Sequence, residues 1–253
     1  MKRLSRLPVG VAALLALATG SANAQVITHD GSAQAVSPQD FAFELRLGPF
    51  RPNIDSEFGS SSPHKTYFGS SRHLMTQIEF DYQFFHKFGS IGVGLGVGYF
   101  SQSTKAFMSD GTTRSTDSTD LALAPVSLSL VYRFDWLSET QEIPLVPYFK
   151  VGIDYTLWAI SNGNGNTAKW TSQDGIRTAN GKGGTAGWHA AVGISLVLDK
   201  FDPDAARQLD LDAGINHTHL FFEFGTWVVD GLGQANRLHV GDSTWTAGLM
   251  FEF

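Results

Sequence analysis

The sequence TWTAGLMFEF, residues 244–253, is the stretch that decides the fold, because apolar and polar side chains alternate along it to the last residue. Successive side chains of a β-strand point to opposite faces, so a period of two predicts a strand with one apolar face. A soluble chain usually ends in polar, frayed residues, whereas this one ends in an aromatic residue. We therefore expect a terminal strand at a membrane interface that serves as an insertion signal. Its apolar face contains Trp245, Leu249, Phe251 and Phe253.

The same alternation recurs upstream in stretches of about ten residues, which suits tilted membrane strands of about 9–11 residues. The apolar face carries no Asp, Glu, Lys or Arg in any of them. A midplane Arg or Lys on a lipid-facing surface would cost about 2–4 kcal/mol, so a face without charge is what contact with lipid requires. Including the terminal strand, we count about eight stretches: 41–48, 74–84, 91–99, 121–134, 145–159, 188–198, 217–229 and 244–253.

Two of these stretches carry further information. One face of 91–99 is almost pure glycine, with Gly92, Gly94, Gly96 and Gly98, which predicts a tight barrel wall where bulky side chains from opposite strands fill the lumen. In 121–134 the apolar positions change from odd to even numbers at Pro125. This change predicts a β-bulge at the proline, with the side chains before it on the lipid face. Those side chains are Leu121 and Leu123.

The connections between stretches alternate in length. Those at 49–73, 101–119, 161–185 and 230–242 are long and polar, whereas those at 85–90 and 135–144 are shorter. The sixth connection contains Asp202 and Pro203 in the order of a helix N-cap and first turn. Long loops on one side and short turns on the other are typical of outer-membrane barrels. We therefore predict an all-β, closed, antiparallel, up-and-down transmembrane barrel of about eight strands at 41–253, with a short periplasmic helix.

The N-terminus has the pattern of a secretory signal peptide. A basic start is followed by an apolar run at 9–19 and by the small residues of Ala22-Asn23-Ala24. Such a run is too short to span a bilayer. We predict a cleaved signal peptide at 1–24, a periplasmic lead-in at 25–40 and a final location in the cell outer membrane.

The amino-acid composition limits the classes of partner that the protein is expected to bind. The chain has no cysteine, 18 Lys and Arg and 24 Asp and Glu, and three of the basic residues lie in the predicted signal peptide. The remainder carries a formal charge of about −9 (15 − 24) without a basic run, which argues against nucleic acid. We expect outer-membrane lipid and, through the terminal strand, the barrel-assembly machinery as partners. We expect no cofactor, and the sequence does not identify an extracellular ligand.

The charged residues of the strands fall on the face opposite the apolar one. The interior of an eight-stranded barrel is just wide enough for side chains to fill it, and buried charges need partners. We therefore predict an ion-paired plug, with a structural or surface-interaction role for the protein. The alternative is a narrow, porin-like channel for small solutes or cations, lined by the acidic excess. The predicted network comprises Glu44, Arg46, Glu79, Asp81, Arg133, Lys150, Asp154 and Glu223.

Two chemical alternatives rest on histidines. His217 and His219 share a strand face and could ligate a metal, but no third ligand accompanies them. His189 with neighbouring Ser or Asp could belong to a lipid-active hydrolase, but no G-x-S-x-G motif is present. We therefore expect neither a metal site nor an enzyme.

Several segments resemble known proteins. The terminal strand resembles the C-terminal insertion signal of bacterial outer-membrane barrels, and the whole pattern resembles small barrels of the OmpA/OmpX architecture. More closely, the chain resembles an outer-membrane β-barrel family of myxobacteria and related Gram-negative bacteria. That family has no established activity, so the resemblance implies fold and location only. The segments that carry it are FELRLGPFRPNID (43–55), PVSLSLVYRFDWL (125–137), PLVPYFKVGIDYTLW (144–158) and GINHTHLFFEFGTW (214–227).

Overall fold

The computed structural model describes residues 40–108, 112–141, 143–171, 178–234 and 237–253. The predicted signal peptide and residues 25–39 of the predicted lead-in lie outside the described residues. Within the described ranges, no helix is both long and apolar enough to cross a membrane.

Eight long antiparallel strands form a closed barrel, as the alternation predicted. The strands are β1 Phe41–Phe50, β2 His73–His86, β3 Ser90–Phe107, β4 Arg114–Arg133, β5 Leu145–Asn162, β6 Lys169–Thr171, β7 Thr178–Asn180, β8 Lys182–Val197, β9 His217–Val228 and β10 Asp242–Glu252. Around the barrel the order is β1-β10-β9-β8-β5-β4-β3-β2, and two short strands, β6 and β7, form a separate hairpin. The first and last barrel strands pair directly, with Phe43 opposite Phe251.

Short helices lie in the connections. They are α1 Pro63–Phe68, α2 Trp136–Thr140 and α3 Pro203–Ala213, with single 3-10 turns at Ile54–Phe58 and Leu198–Lys200. The prediction for α3 is confirmed, since the Asp202 carboxylate accepts a hydrogen bond from the backbone N–H of Ala205 at 3.1 Å. The helix continues for 11 residues and ends at Gly214, which has a left-handed φ of 69°.

The apolar faces of the strands are exposed on the outside of the barrel. Leu45 is 42% exposed, Ile153 63% and Val192 63%. No second layer of protein covers these side chains among the described residues, so the sheet closes on itself instead of packing in a sandwich. The outward-facing residues include Leu47, Ile78, Phe80, Leu95, Leu128, Leu130, Phe149, Leu157, Ile194, Leu220, Phe222 and Phe224.

The predicted bulge at Pro125 is wrong. The β3–β4 register is the same on both sides of the proline, with Val97 opposite Val126 and Phe100 opposite Leu123. Leu121 and Leu123 are therefore not on the lipid face; they are 0% and 1% exposed and point into the barrel. Apolar side chains can face inward here because this end of the lumen is filled by apolar residues from both strands and loops.

Two of the predicted long loops are largely strand. β3 and β4 continue through most of 101–119, and β5 and β8 extend into 161–185, which also contains β6 and β7. Alternation fails as a signal there because these hairpins rise above the apolar band, where neither face has to be apolar. Serine and threonine residues still take part in the pairing of β3 with β4, where Ser103 lies opposite Asp120.

Candidate functional site in the barrel lumen

A cluster of paired charges crosses the middle of the lumen. Strand alternation turns each of these side chains inward, and all of them are at most 5% exposed. The cluster contains seven of the eight residues that the sequence assigned to an interior network: Glu44 and Arg46 of β1, Glu79 and Asp81 of β2, Arg133 of β4, Lys150 of β5 and Glu223 of β9.

Glu44 and Glu79 share two cations. The Lys150 ammonium lies 2.7 Å from Oε2 of Glu44 and 2.7 Å from Oε1 of Glu79. Arg46 Nη1 lies 3.1 Å from Glu44 Oε2 and 2.9 Å from Glu79 Oε2, and its other terminal nitrogen contacts Glu223. These charge-assisted hydrogen bonds connect four strands, β1, β2, β5 and β9, into one network.

Arg133 completes the cluster on the side nearer the chain termini. Its Nη2 donates to Glu44 Oε1 at 2.9 Å and also contacts Asp81. Four carboxyl groups therefore face three cations, a formal balance of −1 (3 − 4). A neighbouring cavity of about 10 Å³, lined by Arg46, Lys150 and Glu223 among others, has room for about one water.

The glycine face of β3 makes room for this cluster. A Cβ at Gly94 would lie 2.3 Å from Oδ1 of Asp81 and 2.9 Å from Oε1 of Glu79. A Cβ at Gly96 would lie 2.3 Å from Ser127 Oγ. The run of glycines thus leaves space for polar and charged side chains of the two neighbouring strands, β2 and β4.

Asp154, the eighth predicted residue, belongs to a separate hydrogen-bonded chain. Its Oδ2 lies 2.8 Å from Nδ1 of His189, whose Nε2 lies 3.2 Å from Oγ of Ser129. The imidazole crosses the intervening strand above Gly152, where a Cβ would lie 2.5 Å from the ring. The sequence did not reveal this contact, because the three residues lie on different strands, β4, β5 and β8.

The two histidines of the His-x-His pattern have separate partners. His219 Nε2 lies 3.2 Å from Glu252 Oε2 and its Nδ1 lies 3.2 Å from Ser195 Oγ. His217 Nδ1 instead lies 2.5 Å from Oδ2 of Asp199, in the turn before α3. Among the described residues, the carboxylates of Glu44, Glu79 and Asp81 have ligand atoms within 4.8 Å of one another, and the Lys150 ammonium contacts the first two.

An apolar plug fills the lumen between the charged cluster and the end with the long loops. It contains Phe50, Ile54, Met75, Phe100, Leu121, Leu123, Val229 and Val240. The rings of Phe50 and Phe100 meet edge to face at 5.1 Å. Between plug and cluster lies a cavity of about 20 Å³, enough for only one or two waters. The charged cluster and the apolar plug therefore fill neighbouring parts of the lumen with different chemistry.

The sequence model of one family, the outer membrane protein beta-barrel domain, matches residues 11–253. The chain belongs to this family. The comparison with curated proteins finds no significant match. Solved structures with a similar arrangement include the attachment invasion locus protein Ail of Yersinia pestis, at 10% identity and a TM-score of 0.42, covering 85% of this chain and 97% of Ail. Neisserial surface protein A has 13% identity and a TM-score of 0.45, covering 84% and 97%.

The residues of the predicted terminal signal lie on the outer face of this outer-membrane barrel. Trp245 and Leu249 are exposed on the outer face of β10, and Phe251 is half-buried on the same face. The backbone of Phe253 exchanges hydrogen bonds of 2.8 and 2.9 Å with that of Phe41. The last residue therefore takes part in closing the barrel.

The loop between β1 and β2 covers the plug of this outer-membrane barrel. The Asp55 carboxylate accepts hydrogen bonds from the backbone N–H groups of His64 at 2.7 Å and Lys65 at 3.1 Å, which fixes the start of α1. His64 is 3% exposed, and its Nε2 lies 2.7 Å from Nε2 of Gln102. Burial lowers the pKa of His64 below its ordinary value, although Asp55 opposes the shift.

A cleft of about 570 Å³ lies beside this loop, at the long-loop end of β9 and β10. Arg72 contacts the Asp242 carboxylate with both terminal nitrogens, and the backbone N–H of Arg51 donates to the same carboxylate at 2.9 Å. Sequence reasoning missed this cleft because its lining comes from two loops and two strand ends. Its charged and polar lining includes Arg51, Asn53, Arg72, Asp230, His239 and Asp242.

Proposed function

We propose that this outer-membrane barrel is a closed scaffold that acts at the cell surface through its extracellular loops. The observation that carries the proposal is the filling of the lumen by a charged cluster and an apolar plug, beside which the cavities measure about 10 and 20 Å³. A rigid barrel that presents variable loops is a common arrangement for recognition. The proposal includes a surface-interaction role and no catalytic activity.

The energetics of the cluster favour a closed lumen. A passing ion would have to separate buried pairs such as Lys150 with Glu44, and breaking a buried pair costs about 3–5 kcal/mol because it leaves an uncompensated charge. The ion would then enter the apolar plug, where the side chains of Phe100 and Leu121 offer no polar ligand. Desolvation there is costly.

Planar-bilayer recording tests the proposal. The folded wild-type protein, verified by heat-modifiable gel mobility, is expected to show no steady conductance. A double variant with Arg46→Ser and Lys150→Ala, checked by the same mobility assay, indicates whether the cluster contributes to closure. A steady open pore of porin size in the wild-type protein would overturn the proposal.

A narrow cation channel is the second candidate, and the excess of one carboxyl group in the cluster favours it. Such a channel would give small, cation-selective currents that disappear in Glu223→Gln. Potassium-over-chloride selectivity in an asymmetric salt gradient distinguishes the two candidates, because a closed barrel gives no reversal potential.

An enzymatic role would use the Ser129, His189 and Asp154 chain. We propose that this chain instead connects β4, β5 and β8, because the cavities next to His189 and Asp154 have room for only one or two waters. Backbone N–H groups around Ser129 belong to the strand ladder, where Ser129 pairs with Gly94 and Gly152, so they offer no oxyanion site.

A further inference from the structure

We infer that the cleft at the extracellular end of β9 and β10 is a saccharide-binding site, an inference that rests on the proposed surface role. The cleft encloses about 570 Å³, within the range of about 300–1,000 Å³ typical of small-molecule sites. Its lining comes from the β1–β2 loop, the β9–β10 loop, the last residues of β9 and the first residues of β10.

The charges of the lining select the class of ligand. Arg51 and Arg72 face Asp230 and Asp242, so neither sign dominates, and His239 is the remaining titratable group of the lining. A multiply charged anion or cation would meet like charge as well as opposite charge. Sugar hydroxyl groups donate and accept hydrogen bonds at the same time, and therefore suit a lining with both kinds of group.

Two side chains of the cleft are available to a ligand. The guanidinium of Arg51 has Asp55 as its carboxylate neighbour at 3.8 Å, which is beyond hydrogen-bond distance. Ser56 Oγ donates to the carbonyl oxygen of Asn53 at 2.7 Å and lies 2.8 Å from His239 Nδ1. Because its single proton is used, Ser56 accepts from Nδ1–H, and Nε2 of His239 is left for a ligand hydroxyl.

The height of the cleft indicates where the saccharide comes from. Thr226 and Ser243, which line it, are paired across β9 and β10. They lie two residues above the outward-facing pair of Phe224 and Trp245, or about 7 Å along the strands. Exposed aromatic residues such as Trp245 mark the membrane interface of outer-membrane barrels. The cleft therefore lies at the level of the sugars of outer-leaflet glycolipids, and a free oligosaccharide offers the same hydroxyl chemistry.

Binding to two probes tests the site and distinguishes these sources. Full-length protein in phosphatidylcholine nanodiscs is titrated with soluble core oligosaccharide released from lipopolysaccharide. Nanodiscs containing intact lipopolysaccharide are compared with plain nanodiscs by NMR of the cleft. Arg51→Gln replaces the guanidinium with a shorter neutral amide, and Asp230→Asn replaces one carboxylate oxygen with an N–H₂ donor. Lys105→Gln removes an exposed extracellular charge outside the cleft lining and serves as the matched control.

We expect saturable binding of the core oligosaccharide, weakened about tenfold by each cleft variant and unchanged by Lys105→Gln. A site specific for membrane glycolipid would give the same variant pattern with lipopolysaccharide nanodiscs only. The inference would be overturned if neither the core oligosaccharide nor the lipopolysaccharide bound. It would also be overturned if both cleft variants bound as tightly as the wild-type protein. Steady conductance of the same wild-type sample would instead count against the closed scaffold, so the two failures are distinguishable.

Discussion

Lys150 of β5 and Glu44 of β1 meet across the centre of the barrel, with 2.7 Å between Nζ and Oε2. The two strands are four positions apart in both directions around the ring of eight, so they lie opposite each other. The pair therefore spans the full width of the lumen. A contact of this kind exists only when the barrel is closed.

Loss of the Lys150 ammonium should destabilise the barrel. Lys150→Met removes one of the two cations that the buried carboxylates of Glu44 and Glu79 share and leaves them with Arg46, and we expect a loss of about 3–5 kcal/mol in the free energy of unfolding. Urea unfolding in detergent measures it, with exposed Lys105→Met as the control. Adding Glu44→Gln to Lys150→Met should recover part of the loss. A change below about 1 kcal/mol in Lys150→Met would contradict the role of this pair.

The close packing at the glycine face of β3 predicts that a single added methyl group destabilises the barrel. In Gly94→Ala the new Cβ would lie 2.3 Å from Oδ1 of Asp81, so the cluster must shift. We expect a destabilisation of about 1–3 kcal/mol, the usual cost of overpacking. The exposed Ser103→Ala on the same strand is the control. Equal unfolding midpoints for the two variants would show that the cluster accommodates the methyl group without cost.

Cysteine scanning tests the inward orientation of Leu123. The chain has no cysteine, so a single introduced thiol gives the only signal. We expect Leu128→Cys, on the lipid face, to react with a bilayer-soluble maleimide, whereas Leu123→Cys, buried in the apolar plug, should resist both bilayer-soluble and water-soluble reagents. Rapid reaction of Leu123→Cys with the bilayer-soluble reagent would instead place it on the outside.

The buried His64 should make the β1–β2 loop sensitive to acid. Because burial lowers its pKa in the folded state, this residue binds a proton less readily folded than unfolded. The stability that it contributes is present above about pH 6.5, the unfolded pKa, and is lost as the pH falls towards the folded value. Arg51 and His73 add to the lowering, while Asp55 opposes it.

Hydrogen exchange of the α1 amides, corrected for the intrinsic rate, measures this effect between pH 7.5 and 5. We expect faster opening of α1 at the lower pH in the wild-type protein and a smaller change in His64→Gln. An equal pH response in both proteins would assign the sensitivity to another group.

A fluorophosphonate probe tests whether Ser129 is a nucleophile. We expect no labelling of the folded barrel, since the hydroxyl lies inside the lumen beside His189 at 3.2 Å. Ser129→Ala should lower stability by about 1 kcal/mol through the lost hydrogen bond. A serine hydrolase in the same mixture confirms that the probe is active. Mass-spectrometric detection of a labelled peptide containing Ser129 would restore the enzymatic alternative.

The alternation of apolar and polar residues along the sequence was sufficient to predict much of the barrel architecture. The alternation around Glu79 and Asp81 assigned both carboxyl groups to the interior, and the glycine face that contains Gly94 predicted a tight barrel wall. The sequence could not place Leu121 and Leu123, because an apolar side chain suits a lipid-facing surface and an apolar plug equally well. The hairpins above the membrane were also missed, since both of their faces are polar.

The sequence by itself determined that the chain forms strands, which face of each strand is charged, and that the strands are suited to lipid. These properties are set by neighbouring residues, because side-chain direction alternates along any single strand. Only the tertiary structure decided that Lys150 meets Glu44, that His189 reaches Ser129, and that two loops enclose the cleft at Arg51. Each of these contacts joins strands or loops that are distant in sequence, and their positions are set when β1 pairs with β10 and the barrel closes.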